Sequence, residues 1–379
     1  MAKYTLKEKP ENYKSSSIEG QYQKLEIDRE TYLERARESA ELTIPHMYPP
    51  KGYNQNTEYT TPFQSVGSRG VMNLASKLML ALFPPQAPFF RIDVDELVYK
   101  SIEGDPQQKK VIEQGLAKIE KSVMDNIEVQ NDRVAVYEAL KNLIVSGNVL
   151  LHLTDTGLRN YRLENYVVKR DPQGECQKII IKEGIMINSL PMEAQEHISK
   201  QDNYDKEKHC DLYTCIIKEG KKYKVHQEVK GFILYTKYYT KETLPYLALR
   251  FNRVDGMDYG RSHVESFIGD LRSLEGLTRS ILEGSSASAK MLFMVSPNGT
   301  TRPSSIAKAP NGAIIEGSAT DVSVLQANKF ADFRVAMETM QRIEQRLQFA
   351  FLLNASVQRQ AERVTATEVQ LIANELQDA

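Results

Sequence analysis

Between residues 262 and 353 the chain carries two long helical patterns around a compact stretch rich in Ser, Pro and Gly. The second pattern, at 328–353, sets Phe330, Phe333, Met337, Met340, Leu347 and Phe351 at spacings of three, four, three, seven and four, a heptad-like stripe. Its other faces mix both signs of charge, from Lys329 and Asp332 to Glu344 and Arg346. The first pattern, at 262–290, carries Val264, Ile268, Leu271, Leu274, Leu277 and Ile281, then a tail of small residues, GSSASA at 284–289. A helix of roughly 25 residues spans about 37 Å, more than a small domain needs. One amphipathic helix on a single core would show the same stripe. An out-and-back pair of this length nonetheless suits a subunit that lines something long better than it suits a pocket.

Between the two helices, 291–295, 313–316 and 322–325 read as short strands, with a turn at Pro297-Asn298-Gly299. Such a unit has little core of its own and is expected to bury its apolar face against neighbours. After the second helix comes a polar loop, 354–364, carrying Gln358, Arg359, Glu362 and Arg363. Then TATE at 365–368 forms a capping box, and Val369, Ile372 and Leu376 continue a helical stripe. That stripe is still open at Ala379, so the expectation is a chain cut within a helix. Arg359 and Arg363 are either surface charge or a directed anion contact.

The N-terminal side has a different character. Residues 1–18 read as a flexible arm, 21–43 as an amphipathic helix stopped by Pro45, and 49–61 as a loop. A helix at 65–82 opens on Gly67 and Gly70, which lack the following Gly-Lys-Ser/Thr of a phosphate loop and are expected to let helices approach closely. Helices follow at 106–129 and 134–145, stopped by Gly147. Strands are expected at 149–153, 161–169, 178–187, 212–218, 222–229 and 232–239, with an exposed helix or loop at 191–208. The class is α+β, a meander-like sheet packed on the helices before it.

Composition narrows the chemistry. The net charge of −1 argues against a basic clamp on nucleic acid, so any such contact must be local or weak. Three cysteines without a pairing pattern fit a reducing compartment, and the polar N-terminus has no signal-peptide core. The longest apolar run, 78–83, is too short to span a membrane. His209, Cys210, Cys215 and His226 could suggest zinc, but they alternate along predicted hairpin strands and are expected to be half-buried strand residues. Asp93, Asp95 and Glu96 read as a solvated helix start rather than a divalent-ion site. His46, His152, His197 and His263 stand beside no candidate nucleophile. No catalytic frame, metal site or cofactor motif is expected. A metal-dependent DNA-processing enzyme, or a ring or scaffold protein with no DNA role, are the alternatives.

Several ordered stretches carry a family resemblance. They are TPFQSVGSRG at 61–70, NLASKLMLALFP at 73–84, EALK at 138–141, SGNVLL at 146–151, YGRS at 259–262, GDLRSLE at 269–275, LNASVQR at 353–359 and ERVTA at 362–366. As a set they resemble the portal proteins, or head-to-tail connectors, of short-tailed bacteriophages of the Autographiviridae type. The resemblance implies a homo-oligomeric ring, typically of twelve subunits, at one capsid vertex, assembled in the host cytoplasm and carried in the virion. It implies a wing at 19–261, a two-helix stem at 262–290 and 328–353, a small clip at 291–327, a tunnel loop at 354–364, and the start of a truncated wing helix at 365–379. Double-stranded DNA would pass the tunnel loop, where Gln358, Arg359, Glu362 and Arg363 are the channel candidates. The implied partners are the terminase large subunit, the tail adaptor, and capsid and scaffolding proteins, with no membrane.

Overall fold

The structure, a computed structural model, describes residues 17–53, 56, 58–84, 88–94, 106–199, 209–288, 292–298, 302–304, 314, 316–325 and 330–353. Helix α1 (Ile18–Glu41) begins at Ser17, whose hydroxyl accepts from the Gly20 amide at 3.1 Å. Its buried face, Ile18 and Tyr22, packs on Val167, Ile180, Tyr213 and Cys215 of the sheet. Helices α2 (Val66–Leu82), α3 (Pro106–Val129) and α4 (Asp132–Ser146) follow. Gly147 closes α4 with φ +75°, and a Cβ there would lie 2.5 Å from the Arg261 carbonyl carbon. Only glycine satisfies both the left-handed turn and that close approach.

Two sheets form the β portion of the body. Strands β1 (Asn148–Thr154), β2 (Gly157–Tyr161) and β8 (Tyr246–Arg250) make a three-stranded antiparallel sheet with β1 in the centre. Strands β3 (Tyr166–Arg170), β4 (Cys176–Met186), β5 (His209–Glu219), β6 (Lys222–Val229) and β7 (Phe232–Thr240) run as a five-stranded antiparallel meander. A short helix α5 (Met192–Ser199) lies between β4 and β5 and seals a satellite core of Ile187, Leu190, Ala194 and Ile198. The main core joins α1, α2, α4 and both sheets to the helix pair that follows. No described helix is long and apolar enough to cross a membrane.

That pair consists of α6 (His263–Ser266) with α7 (Ile268–Ser288), and α8 (Phe330–Ala350). Between them β9 (Leu292–Val295) and β10 (Val322–Leu325) pair antiparallel. Contacts of Asp270 with Arg346 and of Thr278 with Met340 show that α7 and α8 run antiparallel.

The structure corrects the sequence-based expectations at several points. The expected arm at 1–18 ends early, because Ser17 caps α1 and Ile18 is buried. The strand expected at 161–169 breaks at a 3-10 turn, Leu163–Asn165, whose neighbouring carbonyls are drawn onto buried Arg29. Its Nη1 donates to the carbonyl oxygens of Leu163, Glu164 and Tyr166, an arrangement a straight strand cannot offer. Strands β2 and β8 were not expected, and both pair with β1. The single helix expected at 262–290 is interrupted at Phe267, whose ring packs between His263 and Phe351. Ile314 and Glu316, within an expected strand, stand outside any strand, and β9 pairs with β10 instead.

Candidate nucleic-acid interface

The helix pair is sheathed at one end and bare at the other. Near the body, Leu271 and Leu274 of α7 meet Ile343 and Leu347 of α8, all nearly inaccessible to water. Arg346 donates to Asp270 at 2.9 Å across the pair. Beyond Thr278 and Met340 the burial stops: Leu282, Val335 and Met337 are each at least half exposed. The expected stripe is therefore half right. Ile343 belongs to it and Met337 does not, because the body ends before the helices do. Most described charges on the pair are spent locally, in Arg279–Glu283, Arg334–Glu338 and the pair of Arg272 with Glu38. Arg342 is exposed and has no carboxylate at ion-pair distance among the described residues.

The body-side end of α8 is built around Phe351. Its side chain is fully buried, and Gly70 of α2 lies against its ring. A Cβ on Gly70 would sit 2.6 Å from Phe351 Cγ. His263 and Phe267 flank the same ring, with centroids at 5.4 and 6.2 Å. The helix ends in a Schellman motif: Leu353 N–H donates to Gln348 C=O and Leu352 N–H to Phe349 C=O. Leu352 adopts φ +54° there, where glycine is the usual choice. Side chains from two other elements offset that strain by taking the free carbonyls. His263 Nε2 faces Ala350 O at 3.1 Å, Asn73 Nδ2 donates to Phe351 O and Leu352 O, and Lys77 Nζ donates to Leu352 O at 2.5 Å. The Lys77 ammonium also meets the negative end of the helix dipole. The end of α8 is thus held against the body through its carbonyls. The candidate residues Gln358, Arg359, Glu362 and Arg363, and the capping box at 365–368, lie outside the described residues.

The other candidate chemistry does not assemble. Cys210 and Cys215 are five residues apart on β5 and so face opposite sides, each in a different core cluster. Burial pushes the Cys215 thiol up to about 12, the reverse of an activated nucleophile. Cys215 does pair with His226 across β5 and β6, but burial, aided by Lys224 and Lys178, drives that imidazole down to about 4. His209 is exposed at the strand start. Among the described residues no three metal-ligating side chains gather. Asp93 is exposed, and its carboxylate accepts from the adjacent Val94 amide; Asp95 and Glu96 lie outside the described residues. What sequence reasoning missed is the clamp of Asn73, Lys77 and His263. Asn73 and Lys77 sit four apart on α2, a spacing that puts them on one face but names no partner.

An α+β body gripping the end of an antiparallel helix pair, with Asn73, Lys77 and His263 holding its last carbonyls, has the build of an architectural component. The chain belongs to the bacteriophage head to tail connecting protein family, whose model matches residues 15–379. It is 40% identical to the portal protein of Escherichia phage T7 over 368 residues, which is 94% of this chain and 68% of that protein. Against the portal protein of Enterobacteria phage T3 the identity is also 40%, over 367 residues, with the same coverage of each chain. A chain from the neck of an empty gene transfer agent particle aligns at 11% identity with a TM-score of 0.39, over 82% of this chain and 72% of that one. A likeness that small carries no argument.

Proposed function

We propose that this chain is one subunit of a closed ring, typically of twelve, seated at one vertex of a phage capsid, through which double-stranded DNA is packaged and later ejected. In this reading α7 and α8, within 262–290 and 328–353, form the stem. The β9–β10 unit within 291–327 is the clip that meets the terminase large subunit and then the tail adaptor. Residues 19–261 form the wing against capsid and scaffolding proteins, and 354–364 the tunnel loop that faces DNA. The ring assembles in the host cytoplasm and travels in the virion. Gln358, Arg359, Glu362 and Arg363 would face the channel, where ring symmetry turns one arginine per subunit into a positive collar.

The observation that carries the reading is the bare end of the helix pair. Leu282, Val335 and Met337 expose apolar surface that no described residue covers, and a neighbour in a ring would cover it through a heterologous contact. Electron microscopy of the purified chain tests this: rings with a central hole are expected, and monomers at micromolar concentration would overturn it. Replacing both Arg359 and Arg363 with Ala should leave rings intact while changing DNA retention or packaging. Unchanged retention and packaging would remove the collar from the account.

A further inference from the structure

Three guanidinium groups converge on the β3–β4 turn, well away from the helix pair. Arg170 Nη1 donates to the Gly174 carbonyl at 2.9 Å, and Arg253 Nη2 donates to the Gln173 carbonyl at 2.8 Å. Arg250 reaches the same point from β8, with Nη1 on the Met257 carbonyl at 2.9 Å. Gly174 turns with φ +87°, and a Cβ on it would lie 2.8 Å from Arg250 Nη2 and 3.2 Å from Arg253 Cζ. The missing side chain therefore leaves a notch that two guanidinium groups fill, stacked against the turn.

The charges around this notch do not balance. Arg170 spends its donors on backbone carbonyls of Gly174, Ala248 and Asp258. Arg250 has no carboxylate at ion-pair distance among the described residues, and Arg253 has only Asp255, itself almost fully solvated. The nearby carboxylates are committed elsewhere: Asp258 to Lys169 and the Arg170 amide, Asp171 to the Glu175 amide and Gln177, Glu175 to Lys218 and Lys241. Partial burial and the two neighbouring arginines make the charge on Arg250 harder to hold, so its pKa falls. Like charges gathered at such a notch are costly unless an anion joins them. Lys169 and Lys241 are paired with Asp258 and Glu175, so the excess charge lies on the arginines.

We infer that the solvent-facing sides of Arg250 and Arg253, packed over Gly174, form a phosphate-binding site for a nucleic-acid backbone on the body of the protein. A forked guanidinium pair suits the oxygens of one phosphodiester. Arg253 is exposed, so a strand can pass along it. A chain of net charge −1 can reach nucleic acid only through such a local excess. The site does not depend on the channel reading, since none of its residues lies on α7, α8 or 354–364.

The test is binding of a short duplex DNA to the full 379-residue chain by fluorescence anisotropy across a salt series, comparing Arg253→Gln, Arg250→Gln/Arg253→Gln, and Arg359→Ala/Arg363→Ala. Arg253 is half exposed, so its substitution leaves the fold intact, as a melting curve will verify. The double variant is expected to weaken binding by about tenfold or more at low salt and to lower the slope of log K against log salt by about one, while Arg359→Ala/Arg363→Ala leaves that difference in place. Equal affinity and slope for the wild type and the folded Arg250/Arg253 variants would overturn the site. A loss of self-association in those variants with DNA binding unchanged would also overturn it, pointing to a carboxylate on a second copy.

Discussion

The contact between Gly70 and Phe351 makes a sharp quantitative prediction. Replacing Gly70 with Ala adds one methyl group, whose nearest neighbours would be ring and Cβ atoms of Phe351 at 2.6 to 2.9 Å. Alanine in a helix interior gains about 0.5–1 kcal/mol over glycine. Overpacking a buried contact costs about 1–3 kcal/mol, since the fully buried ring has no space to retreat into. The net expectation is a loss of about 1–2 kcal/mol. Phe351→Ala alone should cost about 3–5 kcal/mol, from lost burial and the cavity it leaves between His263 and Phe267. In the Phe351→Ala background the obstruction is gone, so Gly70→Ala should become stabilising by about 0.5–1 kcal/mol. The sign of one substitution thus reverses with the other, a coupling of about 2 kcal/mol. Urea unfolding of the four proteins, read from midpoints at constant slope, measures it. If Gly70→Ala lowers stability equally in both backgrounds, the Gly70–Phe351 contact does not exist as described.

The carbonyl clamp should be separable from that packing. Asn73→Ala and Lys77→Met should each cost about 1 kcal/mol and should speed hydrogen exchange at the amides of residues 351–353 while leaving β4 unchanged. Uniform acceleration across the chain would mean that the clamp is ordinary surface chemistry. The pH dependence follows from His226, whose folded pKa of about 4 lies below its ordinary 6.5. Between those values the unfolded chain binds the extra proton, so stability is full above pH 6.5 and falls as the pH drops toward 4. The loss should approach about 3 kcal/mol, and His226→Gln should flatten that limb of the profile. An unchanged acid limb in the variant would assign the loss to other groups, with the half-buried imidazoles of His152 and His263 next in line.

Much of this architecture was legible because it rests on local rules. The boundaries of α2 and α3, the stop at Gly147, and most of the meander follow from periodicity and turn residues, and the structure places them within a few residues of expectation. What was not legible depends on distant partners. Strand β8 is only five residues long and acquires its identity from pairing with β1, a hundred positions earlier. The break at Leu163–Asn165 needs Arg29, which hydropathy would place in solvent but which is almost wholly buried. The end of α8 carries Leu352 where a glycine would have announced the stop, so the sequence pattern runs on to 353. At the candidate interface, glycines for close approach were readable at Gly67 and Gly70, whereas the identity of the approaching group, Phe351, was not.

The distribution of charge gives the two proposals a common logic. The two long helices together carry five basic and six acidic residues, and several of these are consumed in pairs along or across the helices. A surface past which a polyanion must slide works best when no phosphate is held strongly, because each neutralised phosphate releases counterions and adds affinity. The body shows the opposite arrangement at Gly174, where guanidinium groups are concentrated and their carboxylate partners are engaged elsewhere. One chain of nearly zero net charge can therefore present a surface that lets nucleic acid pass and a separate one that holds it. The distinction would be invisible in the total charge and would appear as two salt dependences: a shallow one for passage along the helices and a steep one for the notch.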